Sequence, residues 1–166
     1  MHIIFSHGME SGPNATKVTA LAKLAEQHGF STERPDYRGM PQWQERLQAL
    51  EARLVQCQSE RQEVALVGSS IGAYISAIAS LKCSTAGLFL LAPPIHVPDQ
   101  LPMLAARCAL IFVAHGWSDE IISPEQVFRF SAQYRARLLL LQADHRMSAV
   151  LPELERYFSE FLACLS

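Results

Sequence analysis

The chain has 166 residues, 49% of them hydrophobic and 18% charged, with a formal net charge of −2 from 14 basic and 16 acidic side chains. That length predicts one domain over residues 1–166 with a buried core, and the absence of any long run of like charge argues against nucleic acid as a partner. The charged fraction falls below the roughly 25% of ordinary soluble domains, which leaves apolar surface for a contact between copies, so a homo-oligomer is an expectation.

Residues 2–5 open the chain as an apolar strand. No basic segment, long apolar stretch or small-residue cleavage site precedes it, which predicts a cytoplasmic protein without a membrane span. A helix over about residues 14–28 follows, with Gly29 as its left-handed terminator, then a short strand at 31–34. Trp43, Leu47, Leu50, Leu54 and Cys57 recur at three- and four-residue steps and predict a helix with one apolar face. The strand-like run 64–67 leads through Gly68-Ser69-Ser70-Ile71-Gly72 into a helix over 73–79. Strands are predicted at 86–91, 109–113 and 138–141. Ser123-Pro124-Glu125-Gln126 reads as a capping box with proline at the first helical position, and Leu151, Leu154, Phe158, Phe161 and Leu165 mark a last amphipathic helix. Near-continuous apolar strands alternating with helices imply an α/β fold, a three-layer α/β/α sandwich around a mainly parallel sheet of six strands. Cys57, Cys83, Cys108 and Cys164 lie far apart with no C-x-x-C pair and read as reduced, mostly buried thiols.

In parallel sheets chemistry gathers at the carboxyl ends of the strands. After the first strand stands His7-Gly8-Met9-Glu10-Ser11-Gly12, after the second Asp36-Tyr37-Arg38-Gly39, after the fifth His115-Gly116-Trp117-Ser118-Asp119, and after the sixth Asp144-His145. Gly68-x-Ser70-x-Gly72 between a strand and a helix is a candidate nucleophile elbow, where small neighbours are needed because a Cβ would strike adjacent backbone. The bare pattern arises by chance in roughly one chain of this length in twenty, so its context carries the weight. Ser70, Asp119 and His145 follow one another in the order serine, acid, histidine, each after a strand.

On these five segments the chain resembles the α/β-hydrolase superfamily, in particular small members without a lid, over essentially its whole length. The resemblance implies Ser70 as nucleophile, His145 as general base and then acid, Asp119 as the carboxylate that orients the imidazole, and the backbone N–H groups of Met9 and Ile71 as the oxyanion hole. The chemistry asks for the same parts. A serine hydroxyl is a poor nucleophile until an imidazole accepts its proton, the imidazole needs a carboxylate to hold its tautomer, and fixed donors must meet the charge on the acyl oxygen.

Plainer readings compete with these roles. Gly68 and Gly72 could serve helix packing with Ser70 as a helix cap. Asp144 and Glu120 compete with Asp119, though a residue directly before the histidine is poorly placed to reach Nδ1. His7 and His115 read as loop hydrogen-bonding residues, while His2, His28 and His96 have no partner at a persuasive spacing. His115 and Asp119 lack the further ligands a metal would need. Arg38 is expected to tie loops together, and Trp117 reads equally as a pocket wall or as loop packing. Residues 92–106, with four prolines, predict an extended connector where larger family members carry a lid, and hence a shallow open site; Leu101, Met103 and Leu104 could instead fold over the site or meet a second subunit. The function expected is hydrolysis of a small-molecule ester or thioester through an acyl-serine, with no diffusible cofactor and no metal. The alternatives are an inactive hydrolase-fold binding protein and a small peptidase or amidase.

Overall fold

The computed structural model describes all residues from Met1 to Ser166. Its elements run β1 (His2–Ser6), α1 (Thr16–Gln27), β2 (Ser31–Glu33), α2 (Trp43–Ser59), β3 (Val64–Ser69), α3 (Ile71–Ala79), β4 (Gly87–Leu91), β5 (Ile111–Gly116), α4 (Pro124–Tyr134), β6 (Arg137–Leu141) and α5 (Leu151–Leu165). The six strands form one sheet in the order β2-β1-β3-β4-β5-β6, and every pairing is parallel. The one antiparallel contact is an isolated bridge between Val97 and Leu101. No helix is long and apolar enough to cross a membrane.

Alternation along the strands divides the core. Ile4, Leu66, Leu88, Leu90 and Val113 face one side, where α2, α3 and α4 complete a cluster of 25 buried residues. Ile3, Phe5, Val67, Phe89 and Phe112 face the other, where α1 and α5 complete a cluster of 20. Phe89 lies at the centre of the second cluster, its ring 5.0 Å from that of Phe158 and 5.4 Å from that of Phe161.

From β1 the chain leaves through α1 toward β2 at one edge, and from β3 it leaves through α3 toward β4 in the other direction. With α1 and α3 on opposite faces, the connections diverge between β1 and β3, which opens a crevice at the carboxyl ends of those two strands. At Gly72 the backbone of α3 lies directly against the end of β1. A Cβ there would stand 2.0 Å from the Ser6 carbonyl oxygen, and one on Gly68 would stand 2.3 Å from the Gly72 oxygen. Gly72→Ala is accordingly expected to cost about 1–3 kcal/mol or more of stability through overpacking. A urea unfolding midpoint at the wild-type value would show that this contact yields freely.

Several local expectations are corrected. β3 and β5 run on through Ser69 and Gly116, because Gly68, Ser69, His115 and Gly116 keep the ladder although they break the apolar run. Ser123 precedes α4 with Pro124 in the first turn but makes no side-chain cap bond; a reciprocal box stands instead at α2, where the Gln42 N–H donates to Glu45 Oε2 at 3.3 Å. His2 does have partners, since Nδ1 meets Ser31 Oγ at 2.8 Å and Nε2 meets Glu33 Oε2 at 3.2 Å across β1 and β2. Of the four thiols only Cys57 and Cys83 are buried, while Cys164 is exposed at the end of the last helix. The connector at residues 92–106 contains no helix and is not free: Leu101 and Leu104 are buried in the core beside α2 and α3, the Trp43 indole N–H donates to the Gln100 oxygen at 3.2 Å, and Tyr74 Oη donates to the Pro102 oxygen at 3.1 Å. Met103 alone of the three apolar side chains is exposed, at 64%.

Candidate active site

Ser70 stands at the turn from β3 into α3 with φ 55° and ψ −122°, a conformation that non-glycine residues rarely adopt and that costs roughly 1–3 kcal/mol. The turn is held by the Ser70 N–H donating to the Leu91 oxygen at 2.8 Å and by the Ser70 oxygen accepting from the Ala73 and Tyr74 N–H groups at 2.8 and 3.1 Å. Although Ser70 occupies the N-cap position of α3, its hydroxyl makes no cap bond. It lies 3.2 Å from His145 Nε2 instead.

His145 follows β6 and donates from Nδ1 to Asp119 Oδ2 at 2.8 Å. The other carboxylate oxygen, Oδ1, accepts the N–H groups of Ile121 and Ile122 at 2.8 and 2.9 Å. Burial pushes the Asp119 carboxyl up, but these two amides and the His145 imidazole outweigh it and hold the group below its ordinary range. Asp144 faces elsewhere, accepting the Met147 N–H at 3.0 Å. The loops that carry Asp119 and His145 are pinned together: the Trp117 and Ser118 amides donate to the Leu141 and Ala143 oxygens, and a Cβ on Gly116 would stand 2.2 Å from the Ala143 oxygen.

His115 is fully buried and donates from Nε2 to the Ile122 oxygen at 3.0 Å, with Asp119 Oδ2 at 3.6 Å; its Nδ1 has no partner, and burial lowers its pKa. No group of three or more histidine, cysteine or acidic side chains is arranged to hold a metal. The N–H groups of Met9 and Ile71 donate to nothing within the protein. Arg38 grips Asp36 through Nε and Nη2, at 2.9 and 2.6 Å, and packs beside Gly12, so it joins the loops after β1 and β2. Trp117, Met9 and Ile121 are exposed. Two surface depressions, of about 640 and 670 Å³, lie beside Glu60–Glu63 and beside Cys83 and Cys108; neither is lined by Ser70, Asp119 or His145.

Residues 2–105 match the model of an uncharacterised protein family, UPF0227. A candidate hydrolase of the alpha/beta superfamily from Xanthomonas campestris pv. campestris is 40% identical, with a TM-score of 0.90 over 98% of both chains. The chain belongs to UPF0227, within the α/β-hydrolase superfamily. Two further solved structures share the fold: a serine hydrolase without a lid from Xanthomonas campestris, 20% identical with a TM-score of 0.85 over 98% of this chain and 80% of that one, and an esterase from Pyrococcus furiosus, 17% identical with a TM-score of 0.82 over 98% and 82%. Among curated proteins none matches.

Two charged side chains of this α/β-hydrolase near the site escape a sequence reading. Lys17, on α1, is partly buried, and burial lowers its ammonium pKa to about 8 against the opposing pull of Asp144 and Asp119. Arg46 sits on the otherwise apolar face of α2, three residues after Trp43 and four before Leu50. A charge on that stripe is the signal that marks it.

Proposed function

We propose that this α/β-hydrolase cleaves a carboxylic ester or thioester through an acyl-Ser70 intermediate, with residues 1–166 acting as one domain. The observation that carries the reading is the unbroken chain from the Ser70 hydroxyl through His145 to Asp119, at 3.2 and 2.8 Å, beside the crevice between β1 and β3. Ser70 Oγ attacks the acyl carbon while its proton passes to His145 Nε2, and Asp119 stabilises the imidazolium. The charge that collects on the acyl oxygen meets the free N–H groups of Met9 and Ile71; losing one such donor typically costs about 3 kcal/mol of barrier. His145 then returns the proton to the departing alkoxide or thiolate. Water enters, gives its proton to the same nitrogen, adds to the acyl carbon, and the acid leaves as Ser70 recovers its proton.

A fluorophosphonate probe tests the assignment. One phosphonyl group per chain is expected, on Ser70, and Ser69→Ala is expected to label as the wild type does. A folded protein that is not labelled between neutral and mildly alkaline pH favours the binding-protein reading, and an adduct on Ser69 moves the nucleophile.

The burial of Leu101 and Leu104 bears on substrate choice, because it keeps both from folding over the crevice and leaves the exposed Met9, Trp117 and Ile121 as the apolar side chains on the site loops. Each methylene enclosed is worth about 0.8 kcal/mol, and that gain is expected to end early here. Across esters of two to sixteen acyl carbons, assayed below their micelle limits, kcat/KM is expected to peak among short chains without interfacial activation. A value that climbs through the longest chains overturns the open-site reading.

A further inference from the structure

Arg46 is only 2% exposed, yet it has no carboxylate within salt-bridge distance. Its donors go to main-chain oxygens, Nε to Met40 at 2.9 Å and Nη1 to Gly8 at 3.3 Å, and its guanidinium carbon stands 5.9 Å from the centre of the Tyr37 ring. A guanidinium stays ionised at any ordinary pH, so a full positive charge is buried at the root of the loop after β1 without a counterion. Burying an unpaired charge is costly, and the neighbouring positions of α2 satisfy their packing with leucines.

The carbonyl that Arg46 reaches belongs to the Gly8–Met9 peptide. Two other donors converge on it, Ser11 Oγ at 3.3 Å and His7 Nδ1 at 2.7 Å. The role of His7 is determined by its far side: Nε2 accepts the Tyr37 N–H at 2.9 Å, so the ring proton must sit on Nδ1, aimed at the Gly8 oxygen. Burial lowers the His7 pKa, which favours this neutral form. The chain contains no cis peptide, and in a planar trans peptide the C=O and N–H point in opposite directions. Three donors gathered on the oxygen therefore set the direction of the Met9 N–H on the other side. At 3.3 Å the Arg46 contact orients more than it binds, but the charge polarises the peptide and makes its N–H a stronger donor.

We propose that Arg46 is a positioning residue for the oxyanion: acting through the Gly8–Met9 peptide, it aims and polarises the Met9 N–H and holds an uncompensated positive charge behind the place where the acyl oxygen becomes negative. The inference rests on the acyl-Ser70 reading. Being strongest when the charge is fully developed, the effect belongs to the transition state rather than to bound ester.

R46M and R46K test this in the full chain, with kcat and KM for a short activated ester and with the affinity of a trifluoromethyl ketone, whose serine adduct is an anion. R46M is expected to lower kcat about 10- to 100-fold with KM within twofold of wild type, and to weaken the ketone by a similar factor. R46K, which keeps the charge but not the planar fork, is expected to fall between R46M and wild type. Values of kcat and ketone affinity within twofold of wild type in folded R46M overturn the inference, as does a loss confined to thermal stability. Should R46M fail to fold, R46K decides alone, a fivefold or greater fall in kcat at constant KM supporting the inference and wild-type kinetics overturning it. If the wild-type enzyme itself neither takes the fluorophosphonate nor turns over ester, it is the acyl-serine reading that fails, and the inference falls with it.

Discussion

Ser70→Ala is expected to abolish measurable ester turnover and all fluorophosphonate labelling while leaving the unfolding midpoint close to that of the wild type. The methyl side chain offers neither nucleophile nor proton, and the residual acceleration that an oxyanion site and binding can provide over water, roughly 10³–10⁴-fold, lies far below the rate of a working enzyme. The hydroxyl makes no hydrogen bond other than the one to His145, so little native structure depends on it. Turnover in Ser70→Ala at more than a hundredth of the wild-type rate would sink the nucleophile assignment, provided contaminating esterase is excluded by titration with the probe.

Asp119→Asn is expected to lower kcat by about 10⁴-fold, because an asparagine amide in place of Oδ2 allows the imidazole to settle in the wrong tautomer. Asp144→Asn, whose carboxylate holds only the Met147 amide, is expected to lose less than tenfold. Comparable losses would show that the proton chain does not run through Asp119. The same substitution has a signature in stability. In the folded chain the Asp119 carboxyl ionises below its ordinary range, so its stabilising contribution is complete above the ordinary carboxylate pKa and is lost as pH falls through the lower folded value. The unfolding midpoint of the wild type is expected to drop across this acid window, and that of Asp119→Asn to drop less. Equal slopes would mean that the burial of the acid cancels its hydrogen bonds.

Five of the strands could be read from apolar runs because both faces of a parallel sheet are covered, whereas β2 at Ser31–Glu33 is a polar edge strand with no such run; the candidate site followed because such a sheet delivers its loops to one edge. What could not be read lies where packing, rather than pattern, decides. Gly68, Ser69, His115 and Gly116 carry no apolar signal, yet their backbones continue the ladders that bring Ser70 and Asp119 to the rim. Prolines in residues 92–106 spoke against helix, but nothing in their order foretold that Leu101 and Leu104 would turn down into the core. Ser123 has the chemistry of a cap and leaves it unused, while Gln42 and Glu45 form one from residues less disposed to it. Arg46 was hidden for the opposite reason. The leucines around it carry the helical period of α2, and that period is complete without the charge.

The pinning of the β5 and β6 loops, together with the Gly72 contact at Ser6, makes this site a caliper with two stiff jaws. One jaw carries the serine on the ends of β1 and β3, and the other carries the acid and the imidazole on the ends of β5 and β6, with β4 as the spine between them. The Ser70–His145 hydrogen bond spans the opening. A change of sheet twist about the spine would alter that gap, and a misplacement of about 1 Å in such a contact is worth roughly a hundredfold in rate. β4 contributes no reacting group, yet a variant that alters its twist is expected to change ester turnover through the Ser70–His145 distance alone.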